Sequence, residues 1–180
     1  MKKLISVVTP TYNEEENVEL VYNEIKTVFE NLKEYDYEHI FIDNASKDRT
    51  ISILKEIAKN DKNVKIIVNA RNFGHIRSPF YGLLQTRGDA VIIIAADLQD
   101  PPSMIPKFIE KWVEGYKVVV GIKNQSEETP LMFAIRKLYY NIIEKLSEVD
   151  QIKNFTGFGL YDQRIIEIIR TIDDLSLIHI

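Results

Sequence analysis

Two rhythms of apolar residues alternate along the chain: short, nearly unbroken apolar segments, and longer stretches where apolar residues recur every three or four positions. The first kind predicts strands at Leu4–Val8, His39–Ile42, Val64–Val68, Ala90–Ala96 and Lys117–Gly121. The second predicts helices between them. Val18, Val21, Ile25, Phe29 and Leu32 share one helical face, as do Ile51, Leu54, Ile57 and Ala58. A helix over residues 76–86 is stopped by Gly88-Asp89, and another carries Ile105, Phe108, Ile109 and Trp112. Thr129-Pro130 starts a further helix reaching Val149, with proline at the first helical position. Asp162 reads as the cap of a last helix over Ile165–Ile172. Asn13 with Glu16 three residues later predicts a capping box for the first helix.

Alternation of strand and helix predicts an α/β chain, a mostly parallel sheet with helices on both faces in three layers. Ala90–Ala96 is apolar on both faces and so belongs at the centre of the sheet. It is also the longest apolar run, far short of the ~20 residues that span a bilayer. The first residues form too short an apolar stretch for a signal peptide. No repeat or low-complexity linker divides the 180 residues, which read as one domain.

Composition narrows the function. A 45% hydrophobic, 28% charged chain has a core and a solvated surface. Its net charge of −4 argues against nucleic acid as the main partner, because phosphate backbones need a basic face. With 0 cysteines, disulfides and thiolate chemistry are excluded, which fits a reducing, cytoplasmic setting.

In open parallel sheets, ligands bind beyond the carboxyl ends of the strands. Polar clusters follow the first four predicted strands there: Pro10 to Glu15, Asp43 to Asp48, Asn69 to His75, and Asp97 to Pro102. Tyr12, beside Asn13 and Glu14, suits stacking and hydrogen bonding to a nucleobase, or else it packs. Asp43 can accept from a base N–H or a ribose hydroxyl, while Ser46 or Asp48 can start the next helix. Arg71 is suited to a diphosphate, or is a surface arginine; Asn72 belongs to the same cluster, and Gly74 permits close backbone approach. Asp97, Gln99 and Asp100 are oxygen ligands close enough in sequence for Mg²⁺ or Mn²⁺, with Asp100-Pro101-Pro102 forming a turn around them.

These segments resemble glycosyltransferase family 2. The resemblance rests on Val7 to Glu15, Asp43 to Thr50, Arg71-Asn72-Phe73-Gly74, and Gly88 to Pro102, in the family's order over the first two thirds of the chain. The nearest branch is the polyprenyl-phosphate type, similar to dolichol-phosphate mannose synthase. The resemblance implies a GT-A fold, a UDP- or GDP-sugar donor, and transfer with inversion to a lipid phosphate or a glycan of the cell envelope. It also implies that Pro10, Tyr12, Glu14 and Asp43 contact the nucleoside and that Asp97 and Gln99 lie at the metal. The chain would then work at the cytoplasmic face of the membrane, touching it peripherally or through a missing carboxyl-terminal region.

Four positions depart from the family pattern. Ala95 stands where the first acid of an Asp-x-Asp pair is usual, and Asn44 where a second acid follows the second strand. Gly157 and Gly159 align with the aspartate and arginine of the lipid-phosphate branch's acceptor loop. Asp162 is the remaining candidate base near that loop. Residues 175–180 match no family feature and read as a foreign tail on a shortened catalytic domain. The rival reading is a donor-binding domain without turnover. A receiver-like signalling domain leaves Tyr12 and Arg71 without a role. A nucleotidyltransferase would not put Asn13-Glu14-Glu15-Glu16 beside a triphosphate.

Overall fold

In the computed structural model, residues 2–122 and 155–172 are described. The helix expected from Thr129 to Val149 and the tail at 175–180 lie outside them. The chain divides into a larger compact unit, Met1–Val119 with Phe158–Ile180, and a smaller one, Val120–Gly157.

Six strands form one sheet in the order β3-β2-β1-β4-β6-β5. They are β1 (Lys3–Thr11), β2 (Tyr35–Asp43), β3 (Val64–Val68), β4 (Ala90–Ile93), β5 (Val118–Ile122) and β6 (Phe155–Asp162). β1 runs parallel to both β2 and β4, and β2 parallel to β3. β6 runs antiparallel to β4, with Ala90 opposite Asp162 and Ile93 opposite Gly159. The sequence pattern did not show β6: two glycines interrupt its apolar positions.

Strand alternation sends neighbouring residues to opposite faces. Ile5, Val7, Phe41, Ile92 and Ile94 pack on one face with residues of α1 (Val18–Asn31), α2 (Thr50–Asn60) and α4 (Ile105–Val113). Val8, Ile42 and Val91 pack on the other with Leu83 of α3 (Gly74–Leu84) and Ile166 of α5 (Gln163–Thr171). The three-layer α/β arrangement expected from the pattern is the one observed. Strand β4 ends at Ile93, three residues before the apolar run does, although the Ile94 N–H still bonds Val8 O at 3.1 Å. Among the described residues no helix is long and apolar enough to cross a membrane.

The amino ends of the strands are held by a buried polar cluster. Glu38 accepts from Ser6 Oγ at 2.5 Å, from the Arg87 N–H at 3.0 Å, and from Lys65. Burial pushes the Glu38 carboxyl up, but those donors outweigh it and the net direction is down. His39 is fully buried in β2; its Nε2 pairs with Thr9 Oγ1 at 2.9 Å and its Nδ1 has no partner. Desolvation pushes its pKa down to about 3, so the ring is neutral in the folded chain.

This makes stability depend on pH with a definite sign. The unfolded chain protonates His39 near pH 6.5 and the folded chain does not. Its contribution is complete above about pH 6.5 and is lost as pH falls from there toward 3. Urea unfolding should show the native chain losing about 1.4 kcal/mol more per pH unit between pH 6 and 4 than His39→Asn does. Equal slopes for the two proteins would contradict the buried neutral ring.

Candidate functional site

The parallel strands β1 to β4 end on one rim, and each is followed by a residue in the left-handed backbone region. These are Asn13 (φ 56), Ala45 (φ 64), Gly74 (φ 88) and Leu98 (φ 56). Asn13 tolerates this conformation, but Ala45 and Leu98 carry side chains that disfavour it, so the surrounding contacts must hold them there.

Hydrogen bonds between loops supply that hold. The Asn13 N–H donates to Ser46 Oγ at 2.9 Å, and Asn13 Oδ1 accepts from the Lys47 N–H at 2.9 Å. The Glu14 N–H donates to Thr50 Oγ1 at 2.8 Å, and Glu15 accepts from the Arg49 N–H at 2.9 Å. Asn13 is therefore not the cap expected from the sequence. Helix α1 begins only at Val18, and the positive φ of Asn13 turns its amide across to the second loop. Asp48 accepts from the Thr50 N–H at 3.0 Å at the start of α2, as a capping residue does.

Asp43 and Asn44 point different ways. Asp43 is fully buried; it accepts from the Ser46 N–H at 2.9 Å, from Ser46 Oγ at 2.5 Å and from Thr11 Oγ1 at 3.3 Å. Its carboxylate braces its own loop rather than lining the open surface. Asn44 joins the second loop to the third. Its Nδ2 donates to Asn72 Oδ1 (2.9 Å) and Gly74 O (3.2 Å), and its Oδ1 accepts from the Phe73 N–H at 2.8 Å. A carboxylate at position 44 could accept but not donate.

Between these loops and the start of α3 lies a cleft of about 410 Å³. It gathers Pro10, Tyr12, Glu14, Asn72 and Gly74 from the residues that the sequence singled out. It also includes Thr11, Asn44 and His75, which belong to the predicted rim clusters without an assigned role, and Ser78 and Pro79, which lie outside them. His75, Ser78 and Pro79 share one face of α3. That signal was hidden because α3 starts at Gly74, two residues before the predicted helix. Arg71 is exposed beside the cleft, its guanidinium 4.7 Å from the centre of the Phe73 ring. A larger hollow of about 700 Å³ lies at the amino end of β2, around Tyr37 and Asp61, away from these loops. It holds none of the candidate residues.

On the β4 side of the rim, Asp97 and Gln99 are exposed and Asp100 is buried. Asp97 Oδ1 accepts from the Gln99 N–H at 3.1 Å, a short turn around the left-handed Leu98. No group of three His, Asp or Glu side chains that could hold a metal ion exists among the described residues. Of the expected set, Asp97 and Gln99 share the open surface and Asp100 is buried next to them in sequence.

Asp162 takes the capping role that the sequence predicts. It pairs with Ala90 at the amino end of β4, the end opposite the rim, and so stands apart from the other candidates. It caps α5 through the Arg164 N–H (3.1 Å) and accepts from Trp112 Nε1 at 2.8 Å. The Arg164 guanidinium, chiefly, holds its carboxyl well below the usual carboxylate range. These bonds are those of a structural carboxylate, the capping reading that the sequence also offers.

Residues 6–167 match the model of Glycosyl transferase family 2. The chain belongs to glycosyltransferase family 2. Among its family 2 relatives, the uncharacterized glycosyltransferase YkcC of Bacillus subtilis (strain 168) is 38% identical over 161 residues, 89% of this chain and 50% of the relative. A bactoprenol glucosyl transferase of Shigella phage SfX is 37% identical over 174 residues, 96% of this chain and 56% of the relative. The chain thus spans about half the length of the curated relatives it matches. A mannosyltransferase from Pyrobaculum calidifontis, solved with GDP-Man and Mn²⁺, superposes with a TM-score of 0.61 at 17% identity, over 94% of this chain and 47% of that one. At that identity the likeness concerns the fold, and the fold is the GT-A fold.

The Asn44 amide is open to direct test. Asn44→Asp removes two donations to oxygen while keeping the shape, and should cost about 1–3 kcal/mol of stability. Urea unfolding at pH 7 measures it, and an unchanged midpoint would show that the loops are held without Asn44.

Proposed function

We propose that this chain is the donor-binding part of an inverting glycosyltransferase that uses a UDP- or GDP-linked sugar. The acceptor we favour is a polyprenyl phosphate, in keeping with the bactoprenol glucosyl transferase among its relatives. A glycan of the cell envelope is the other acceptor class that the sequence suggests. One observation carries the reading: three rim loops, each turned by a left-handed residue, and the start of α3 line a cleft that combines an aromatic ring with amides.

In this reading Tyr12, which is 43% exposed, offers its ring to the nucleobase. Asn72, His75 and the start of α3 face the ribose and diphosphate, and Arg71 adds charge from the side. Asp43 acts indirectly, by shaping the loop that carries Asn44. A departing nucleoside diphosphate needs its charge neutralised, and bound Mg²⁺ or Mn²⁺ supplies that neutralisation. The exposed Asp97 carboxylate with Gln99 beside it fits an ion held mostly by phosphate oxygens and water. The acceptor attacks the anomeric carbon from the face opposite the diphosphate, which inverts that centre. A phosphate acceptor is already an anion and needs little help from a base, so an Asp162 engaged as a cap leaves this step intact.

A second reading, donor binding without turnover, draws on Ala95 and on the lack of a three-ligand cluster among the described residues. Melting curves with UDP, GDP and their sugars, with and without Mn²⁺, test binding. A nucleotide at a hundred times its Kd should stabilise the fold by about 2.7 kcal/mol. Sugar release or transfer then separates the two readings.

Two variants sharpen the test. Tyr12→Ala should weaken nucleotide binding about tenfold, the loss of one stacked base. Asp97→Ala should abolish metal-dependent turnover while the ligand-free melting point stays unchanged. Full turnover in Asp97→Ala would overturn the proposed metal position.

A further inference from the structure

Charge is unevenly spread along this chain. From Lys62 to Gly88 there is no Asp or Glu, while Lys62, Lys65, Arg71, Arg77 and Arg87 give a charge of +5. The chain as a whole carries −4, so everything outside this segment sums to −9. Lys65 is consumed by its pair with Glu38. Lys62 and Arg87 lie toward the amino ends of the strands, which leaves Arg71 and Arg77 exposed on and just before α3.

The same stretch exposes large apolar side chains. Phe73 is 39% exposed, Ile76 42% and Tyr81 49%. Residues 73, 77 and 81 follow each other four apart, and Ile76 adjoins them, so they share the outer side of the helix. The inner side is spent on the sheet, where Ser78, Gly82 and Leu83 are buried. Neighbouring α5 adds no free acid: Glu167 pairs with Arg170. A short helix with aromatic, Ile and Arg side chains outward, and no carboxylate, has the composition of a segment lying in a lipid headgroup layer.

We propose that the outer face of α3, with the turn before it, docks on an anionic lipid bilayer. Charge complementarity selects that occupant, because each cation near an anionic leaflet adds attraction while the acidic remainder of the chain is repelled. Docking there has a geometric consequence. His75, Ser78 and Pro79 of the same helix line the cleft, so docking places the bilayer on the helix that walls the cleft. The surface goes beyond the proposed donor chemistry and stands without it.

Cosedimentation of the chain with vesicles tests this. Vesicles of phosphatidylcholine with 30 mol% phosphatidylglycerol, about a third anionic, should bind it, and pure phosphatidylcholine vesicles should not. Arg77→Gln should weaken binding about fivefold. The pair Ile76→Ser with Tyr81→Ser should weaken it at least as much, and 0.5 M salt, on the order of a 4 Å screening length, should remove most of it. Equal binding to neutral vesicles, or unchanged binding in these variants, overturns the proposal. So does a dimer in solution that the Ile76→Ser, Tyr81→Ser variant dissociates, since the face would then belong to a second copy. Melting with UDP is measured on the same variants. Retained nucleotide stabilisation with lost vesicle binding in the variants supports docking on its own, whereas a native chain that binds vesicles but is stabilised by no nucleotide counts against the donor reading alone.

Discussion

Parallel pairing on both sides of β1 is the constraint from which the site follows. β1 bonds β2 along Lys3 to Thr11 and β4 along Ile5 to Val8, and β2 bonds β3 in the same sense. Four strands therefore end on one side. Beyond their last ladder bonds the backbone still has N–H and C=O groups to satisfy. Short polar side chains take over that work, as Asn13, Asp43, Asn44, Glu15 and Asp48 do by bonding backbone groups of the same or neighbouring loops. Polar residues are dense on this rim because it needs them to close, and one of them, Asn44, also lines the cleft.

The second requirement is that α3 lie close to the sheet. Gly82 makes this possible: a Cβ there would come within 3.0 Å of Ile42 and 3.1 Å of Val8. With the helix drawn in, its first turn reaches the loops after β2 and β3. His75 and Ser78 then face the same hollow as Tyr12 and Asn72. Packing at the buried end of a helix thus fixes chemistry at its exposed end. The opposite ends of the strands have a different character. There buried carboxylates are saturated by their partners, Glu38 by Ser6 and Lys65, and Asp162 by Trp112 and Arg164. Such saturation stabilises the ends of the strands.

Much of the fold was legible because buried strands and one-faced helices have unmistakable periods. Val64–Val68 matches its predicted bounds, and the buried residues of α1 and α4 lie on the predicted faces. The misses have physical causes. β6 lacks a continuous apolar signal because Gly157 and Gly159 interrupt it, yet antiparallel pairing with β4 makes it a strand. Asn13 looks like a cap from its spacing to Glu16, but spacing cannot show a positive φ. Pleat direction decides which of the adjacent Asp43 and Asn44 meets the cleft, and spacing along the chain does not show it.

The amino-acid sequence alone determined the α/β class, the three layers, the order of the polar loops and the membership of glycosyltransferase family 2 that residues 6–167 bear out. These are properties of local period and of residue order, and both are written along the chain. Only the tertiary structure decided that Asp43 is buried while Asn44 ties two loops together, that His75 and Ser78 join the cleft, and that Asp162 sits at the far end of β4. Each of these depends on which way a side chain points once strands 30 or more positions apart in sequence have paired. No local pattern carries that direction.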